Sequence, residues 1–286
     1  MLNRFRNLSI TIKATILLSL TAMFFLLVLS GVTYFLARQE LQQSIATNQT
    51  AAVNSLADQL DENLAASRNY LHYLATHLQQ IHQSKTSDLQ NALNHHDESR
   101  LFFDSGLILF SAHGCIVAET PFNKERTGLD CHEHEYYQQV VKSGKSVVSA
   151  PYKLSSSRNQ PFIAFAVPIK DRSNSQLHGV LVGRQSLQKN GFLQKLIDAP
   201  IGKNGYFYLI DQDRTLIIHP DPSRVLTTVP AGKNKAIDAA LQGREGTWEN
   251  INSVGLAGLT SIKQLKEAPW YLAAHFPLKE AYAPLH

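Results

Sequence analysis

The hydrophobic pattern of the chain opens with one long apolar run. Residues 14–37 carry no charge and are mostly Ala, Ile, Leu, Met, Phe and Val. A helix of this length, rising about 1.5 Å per residue, crosses a hydrocarbon core of about 30 Å. A cleaved signal peptide would have an apolar run of about 7–15 residues that ends at small residues, whereas bulky apolar residues continue here past Gly31. The pattern therefore predicts one transmembrane helix over residues 14–37.

Charges on either side of this run predict its orientation. Arg4, Arg6 and Lys13 precede it, whereas Arg38 follows it with Glu40 close behind. Basic flanks tend to stay in the cytoplasm. We therefore expect residues 1–13 to be cytoplasmic, the helix to lie in a bacterial inner membrane, and the chain from Arg38 onward to fold in the periplasm.

A second apolar pattern follows the run and has helical spacing. Apolar or small residues recur at alternating intervals of three and four, which is typical of one face of a long helix. Arg38 to about His82 contains no Pro or Gly, so the helix is expected to leave the membrane unbroken. The face can pack against a globular domain, a second copy of the chain, or both. Its members are Ala57, Leu60, Leu64, Ser67, Leu71, Leu74, Leu78 and Ile81.

The rest of the chain alternates short apolar runs with turn residues, which predicts strands and hairpins. One order of elements occurs twice, about a hundred residues apart: a hairpin, a short helix and three further strands. The first set is 107–110, 115–119, the helix 135–142, and 147–152, 162–169 and 177–187. The second set is 205–210, 215–219, the helix 234–241, and 246–252, 255–265 and 270–277.

This order indicates an α+β fold in which two small antiparallel-sheet modules flank one long N-terminal helix. The predicted organisation is a cytoplasmic segment 1–13, a membrane helix 14–37, and a signalling helix with its connection over 38–100. A membrane-distal module follows over 101–199 and a membrane-proximal module over 200–286.

Composition and motifs exclude several classes of function. The net charge of +4 partly reflects the basic N-terminal arm, and no Lys/Arg stripe interleaved with aromatics predicts nucleic-acid binding. The sequence has no G-x-S-x-G, H-E-x-x-H or phosphate-loop motif. We therefore expect a binding module and not an enzyme.

The two cysteines, Cys115 and Cys131, fall in the part expected to be exported, where thiols are usually oxidised. A disulfide between them would stabilise the fold by about 3 kcal/mol. Two free thiols or a metal or haem site are the alternatives, since His113, His132 and His134 lie nearby. The spacing matches no recognised zinc pattern and lacks the C-x-x-C-H of covalent haem attachment, so no cofactor is predicted.

Aromatic and polar side chains in the first module are the candidate ligand-binding residues. Each could equally serve in packing or on the solvated surface, but together they suit a mostly apolar pocket with few convergent polar groups. They are Tyr136, Tyr137, Tyr152, Arg158, Phe165 and Arg184, with His134 beside them.

Motifs of both modules resemble the double Cache sensor domain of bacterial chemoreceptors, sensor kinases and diguanylate cyclases. The resemblance covers nearly everything after the membrane helix. In the distal module it rests on 134–137 (HEYY), 149–152 (SAPY), 161–168 (PFIAFAVP) and 179–183 (GVLVG). In the proximal module it rests on 202–211 (GKNGYFYLID), 217–221 (IIHPD), 269–271 (PWY) and 277–281 (PLKEA).

The resemblance implies a small-molecule site in the distal module. Amino-acid binders of the family hold the ligand carboxylate with an Arg-x-Trp-Tyr motif and the amine with a later Asp. Here His134 and Tyr136 stand in the Arg and Trp places, Tyr137 and Tyr152 are kept, and Arg184 falls near the Asp place. A cation there would repel an amine, so an organic acid is favoured over an amino acid.

The resemblance also implies a homodimer, a second membrane helix after residue 284 and a cytoplasmic output domain of unstated type. Two alternatives stay open. One is a redox, haem or metal sensor that uses the His and Cys residues. The other is a structural dimerisation module without a ligand.

Overall fold

A computed structural model describes residues 10–80, 86–96, 98–129, 134–153, 160–171, 176–187, 193, 199–252 and 255–283. Its largest element is helix α1, Ile10–Gln80, whose 71 residues span about 107 Å. Within the described residues, α1 is the one helix long and apolar enough to cross a membrane. The predicted unbroken continuation from the apolar run into the sensor part is confirmed.

The predicted apolar face of α1 packs against the chain's own sheets. Its buried members have at most 3% of their surface exposed, and they contribute to one core that runs along both modules. Ile81 lies outside the described residues. The buried members are Ala57, Leu60, Leu64, Ser67, Leu71, Leu74 and Leu78.

The distal module is an antiparallel sheet with short helices around it. Its strand order is β2-β1-β6-β5-β3, and β4 also pairs with β5. The strands are β1 Leu107–Ser111, β2 Ile116–Thr120, β3 Val147–Val148, β4 Tyr152–Lys153, β5 Pro161–Lys170 and β6 Leu177–Ser186. The helices are α2 Thr86–Asn94, α3 Ser99–Phe102 and α4 Glu135–Ser143.

The strand predicted over 147–152 is broken in two. Ser149 still pairs with β5, since its N–H donates to the Ala164 carbonyl at 2.8 Å and its Oγ accepts from the Ala164 N–H at 2.9 Å. Pro151 then has no N–H to give to a ladder. The chain therefore leaves the sheet at Ala150 and rejoins it at Tyr152, which opens space beside α4.

The proximal module repeats this plan with strand order β8-β7-β11-β10-β9. The strands are β7 Tyr206–Asp211, β8 Leu216–Ile218, β9 Gly246–Ile251, β10 Ala257–Gln264 and β11 Trp270–Pro277. The helices are a 3₁₀ turn Pro222–Arg224, α5 Lys235–Ala240 and α6 Leu278–Ala281. The hairpin strands and the following strands occur in the same order in both sheets, so the predicted duplication and α+β class are confirmed.

Each sheet is buried on both faces. One face packs against α1, as with Leu109 and Ile163 of the distal module. The opposite face packs against α4, as with Ile108 and Val182, or against α5 in the proximal module. The face under α4 carries the candidate site.

Polar contacts fasten the proximal module to α1. The Gln49 amide donates to the carbonyls of Leu259 and Ala274, at 3.2 and 2.7 Å. The Asp61 carboxylate accepts from the N–H groups of Lys266 and Glu267, at 2.9–3.0 Å. These contacts are twelve residues apart along α1, so the helix and the sheet are held together over about three turns.

Candidate functional site

The candidate site lies between α4 and the segment where the chain leaves the sheet. A cavity of about 270 Å³ opens there. His134 caps the N-terminus of α4 in an extended conformation, and Tyr136 follows in the first turn. Ser149 and Tyr152 also line the cavity.

Three aromatic rings form a continuous wall of this cavity. His134 stacks on Tyr136 with 5.1 Å between ring centroids, and Tyr136 lies 5.6 Å from the Tyr152 ring. The His134 and Tyr152 centroids are 6.3 Å apart. Burial raises the pKa of Tyr152, while the Arg184 guanidinium and the Tyr136 hydroxyl act to lower it. The structure therefore brings these three predicted residues together around a space large enough for a small molecule.

Arg184 supplies a buried cation beneath the wall. It lies on β6, on the sheet face under α4, with 7% of its surface exposed, opposite Ala164 of β5. Its Nε has no hydrogen-bond partner among the described residues. Burial lowers the pKa of Arg184, as does the nearby Arg126, while Tyr152 and Glu119 act to raise it. A desolvated guanidinium with an N–H group that lacks an acceptor is suited to bind an anion.

Glu119 and Arg126 join this group although the sequence analysis did not identify them. Glu119 lies on β2 with 1% of its surface exposed, and Arg126 pairs with its Oε2 at 3.1 Å. Its other oxygen, Oε1, has no hydrogen-bond partner within the described part of the chain. Burial raises the pKa of Glu119, and both Arg126 and Arg184 oppose that shift. The group thus holds two guanidiniums and one carboxylate.

Tyr137 and Phe165 are placed elsewhere. The Tyr137 hydroxyl donates to the carbonyls of Ser111 and Ala112, at 3.2 and 3.0 Å, so it braces the β1–β2 turn. Phe165 faces α1 and packs on Phe103 with 5.7 Å between centroids. Phe165 is therefore on the opposite side of the sheet from the cavity, because residues alternate between the faces of a strand and Ala164 occupies the site side. Arg158 lies outside the described residues.

The predicted disulfide stays a prediction. Cys115 is half-buried after the β1–β2 turn and makes no disulfide within the described residues, and Cys131 lies outside them. His113 is exposed, and His132 is also outside the described part. No group of three or more His, Cys, Asp or Glu side chains in the described ranges is placed to hold a metal ion.

Strand register defines the equivalent position in the proximal module. Both hairpins carry a bulge at the same place, between Leu109 and Phe110 and between Leu209 and Ile210. From this anchor, Val182 corresponds to Ala273 and Arg184 to His275. The partner strand agrees, because Ala164 lies opposite Arg184 and Thr260 lies opposite His275.

Side chains of the proximal module fill the space that is open in the distal one. The Thr260 hydroxyl donates to the Asn250 Oδ1 at 2.9 Å, so it accepts from the His275 Nδ1–H at 3.1 Å. Asn250 in turn donates to Asn234 at 2.6 Å, and Tyr206 packs on the His275 ring. The remaining cavity of about 10 Å³ has the size of one water molecule.

The histidines of the proximal network are neutral. Burial lowers the pKa of both His219 and His275 to about 4, and the nearby Arg224 also lowers that of His219. The Arg224 guanidinium bonds to His219 at 3.0 Å, whereas the Nε of Arg184 in the distal group has no hydrogen-bond partner among the described residues. The geometry therefore favours the distal module as the binding module.

Comparison with known proteins agrees with this architecture. A family model described as the Cache domain, in its double form, matches residues 37–285. The methyl-accepting chemotaxis protein McpA of Pseudomonas putida is 26% identical over 163 residues, which are 55% of this chain. The match spans 24% of that protein, so the chain corresponds to about a quarter of its length.

Solved structures share the fold at low sequence identity. The ligand-binding domain of the Pseudomonas aeruginosa amino acid chemoreceptor PctB with L-Gln has a TM-score of 0.68 at 19% identity, covering 84% of this chain and 93% of that one. That of the Pseudomonas fluorescens chemoreceptor CtaA with L-isoleucine has a TM-score of 0.67 at 19% identity, covering 87% and 99%.

Proposed function

This chain belongs to the Cache family in its double form, and on that premise we propose that it is the periplasmic sensing region of a bacterial transmembrane chemoreceptor. The family match and the likeness to chemoreceptor domains support a sensing role. The similarity to a methyl-accepting chemotaxis protein favours that class over sensor kinases and diguanylate cyclases. We propose no catalytic activity for this region.

The proposed ligand is a small organic acid bound in the distal module. The observation that carries this proposal is the buried Arg184, whose Nε is unpartnered among the described residues and which lies near Tyr136 and Tyr152. A ligand carboxylate would accept from that Nε, and the aromatic wall would cover the carbon skeleton. These groups replace the hydration that the carboxylate loses on entry.

An amino acid is less favoured because the buried group beside the cavity is net positive. The carboxylate that lines the cavity, Glu135, is exposed and accepts from the Gln139 amide at 2.9 Å. Glu119 is the acidic side chain nearest to Arg184, and its Oε2 is already paired with Arg126. Two guanidiniums and one carboxylate leave a net positive charge. A net positive, desolvated group attracts an anion and repels an ammonium. Solved relatives with L-Gln and GABA make amino acids the necessary comparison set.

The proposed signal starts in the distal module and passes along α1. Ligand binding would favour one of two arrangements of the sheets against the helix. Helix shifts at such switches are often about 1–2 Å. The chain would act as a homodimer anchored in the inner membrane. The contacts of Gln49 and Asp61 would make the proximal module move together with α1.

Calorimetric titration of the full chain in nanodiscs tests the proposal. We expect one or more small mono- or dicarboxylates to bind at one site per protomer, and Arg184→Met to remove that binding. If α-amino acids bind and organic acids are inert, the ligand class is wrong while the sensing role stands. If a broad metabolite screen gives neither heat nor a rise in melting temperature, the sensing role in this module is wrong.

A further inference from the structure

Two exposed apolar side chains mark one edge of the proximal module. Ile251 ends β9 with 61% of its surface exposed, and Leu256 just precedes β10 with 54% exposed. The sequence has no charged residue from Asn250 to Ile262. Ile251 pairs with Ala257, the neighbour of Leu256, so the two side chains project from opposite faces at the end of the β9–β10 hairpin. Exposed apolar side chains at one end of a module can mark a contact surface.

Contacts between α1 and β10 show where this edge lies along the helix. Gln49 bonds to Leu259, and Asp61 bonds to Lys266, so β10 and α1 run in the same direction, away from the membrane helix. Gln49 and Asp61 are twelve residues, or about 18 Å, apart along α1, and their partners Leu259 and Lys266 are seven residues apart along the strand. Each strand residue advances about 2.6 Å along the helix axis.

Two independent contacts place both residues at the same height. Leu256 precedes Leu259 by three residues and so lies about 8 Å nearer the membrane than Gln49. Ile251 follows Thr247 by four residues, and the Thr247 hydroxyl lies 2.9 Å from that of Thr50. Both side chains therefore stand level with about residues 43–44 of α1, about 8 Å outside Arg38.

The base of the module reaches the end of the predicted span. The Arg38 guanidinium lies 4.8 Å from the centroid of the Tyr282 ring, just after α6. Tyr34, one turn earlier, has 48% of its surface exposed. Tyrosines and basic residues at the end of a membrane helix are typical of the lipid–water interface. The headgroup layer on each side of a bilayer is about 5–8 Å thick, so Ile251 and Leu256 stand at its outer boundary.

We propose that the edge formed by Ile251 and Leu256 rests on the periplasmic lipid headgroups as a second contact with the bilayer. This inference rests on the proposed membrane anchoring. A lipid surface fits better than a second copy of the chain because both residues stand about 8 Å outside Arg38, at the outer boundary of the headgroup layer. Two points of contact, the span and this edge, would fix how the module is oriented against the membrane.

Tryptophan quenching in the full chain, reconstituted in vesicles of phosphatidylethanolamine and phosphatidylglycerol, tests this contact. The variants are Leu256→Trp and Ile251→Trp, each compared with the parent chain, whose Trp248 and Trp270 give a constant background. The matched control is Leu101→Trp, an apolar residue with 82% exposure in the distal module. Lipids that carry a nitroxide on the headgroup serve as the quencher.

We expect the added emission of both edge variants to be lost in nitroxide vesicles and that of Leu101→Trp to be unchanged. Emission of the edge variants that is unquenched and typical of water overturns the proposal. Blue-shifted emission that lipids leave unquenched overturns it as well, because a second copy then covers the edge. A Phe25→Trp variant reports on the span with acyl-chain quenchers, so a failure of anchoring is distinguished from a failure of the edge contact.

Discussion

Arg184 and His275 occupy the same position in the two modules. Arg184 lies on β6 and His275 on β11, each on the sheet face that packs against the module's short helix. Arg184 lies opposite Ala164 and close to Tyr136 and Tyr152, which line an open cavity, whereas His275 faces Thr260 and a closed hydrogen-bond network. One fold thus carries a buried cation near an open cavity in one module and a network of its own side chains in the other. This difference supports the proposal that the distal copy binds the ligand.

Replacing the distal cation separates binding from stability. We expect Arg184→Met to abolish ligand binding while the free energy of unfolding stays equal or rises by about 1–3 kcal/mol. The desolvation of the guanidinium is costly, Glu119 keeps its pairing with Arg126, and Met fills similar volume. Titration calorimetry and thermal unfolding measure the two effects. The control is Arg244→Met, since Arg244 is exposed and remote from the cavity. Retained binding by the Arg184 variant would rule out its proposed role.

Exchange of the residue opposite the cation tests the equivalence of the modules. Ala164→Thr introduces the side chain that the proximal module has at Thr260, and it should narrow the distal cavity. We expect affinity for the ligand to fall about tenfold or more, with the chain still folded. The converse change, Thr260→Ala, should leave binding intact and cost about 1–2 kcal/mol of stability, since the bonds to Asn250 and His275 are lost. Equal effects of both changes on binding would contradict the assignment.

The attachment of the proximal module to α1 depends on Asp61. Its carboxylate accepts from two backbone N–H groups, so Asp61→Ala should cost about 2–3 kcal/mol by leaving both donors unsatisfied. The neighbouring Asp58 pairs only with the exposed end of Lys266 at 3.3 Å, and Asp58→Ala should change stability by less than about 0.5 kcal/mol. Chemical unfolding of both variants provides the comparison. Similar losses would mean that the carboxylate bonds contribute little.

Stability of the chain should fall as the solution becomes acidic. His219 and His275 have a pKa of about 4 in the folded state, against about 6.5 when unfolded. The unfolded chain therefore binds more protons between these values, so stability is complete above about pH 6.5 and declines toward pH 4. A shift of this size corresponds to about 3 kcal/mol for each histidine. His275→Gln should flatten the curve of melting temperature against pH, and an unchanged slope would refute the burial effect.

The sequence predicted the elements of the fold well because their patterns are strong. The spacing of Leu60, Leu64 and Leu71 identifies the buried side of α1, and turn residues such as Gly114 mark the hairpins. The helix α2 and the break at Pro151 were not predicted. Both depend on contacts with distant strands, which local pattern does not contain.

Membership of the site was harder to predict than the fold. Nearly every residue of β5 is buried, so the hydrophobic pattern does not indicate whether Phe165 or its neighbour Ala164 points toward the cavity. Glu119 lies near the end of β2, where many strands carry exposed carboxylates, and its burial and its pairing with Arg126 reveal it as part of the site. The charge of Arg184 and the aromatic residues near it, by contrast, were visible in the sequence because such residues seldom occur in a strand core without a partner.

The unbroken course of α1 has a mechanical consequence. Between Ile10 and Gln80 the helix contains no proline and a single glycine, Gly31, which lies inside the predicted span. The helix beyond residue 37 contains neither proline nor glycine to act as a hinge, so that part should behave as a stiff rod. A small displacement of α1 at the distal module would then reach the predicted span with nearly its original amplitude. Any bending of α1 would concentrate near Gly31, inside that span. In such a molecule the signal would be a displacement of the whole helix and not a change in its flexibility.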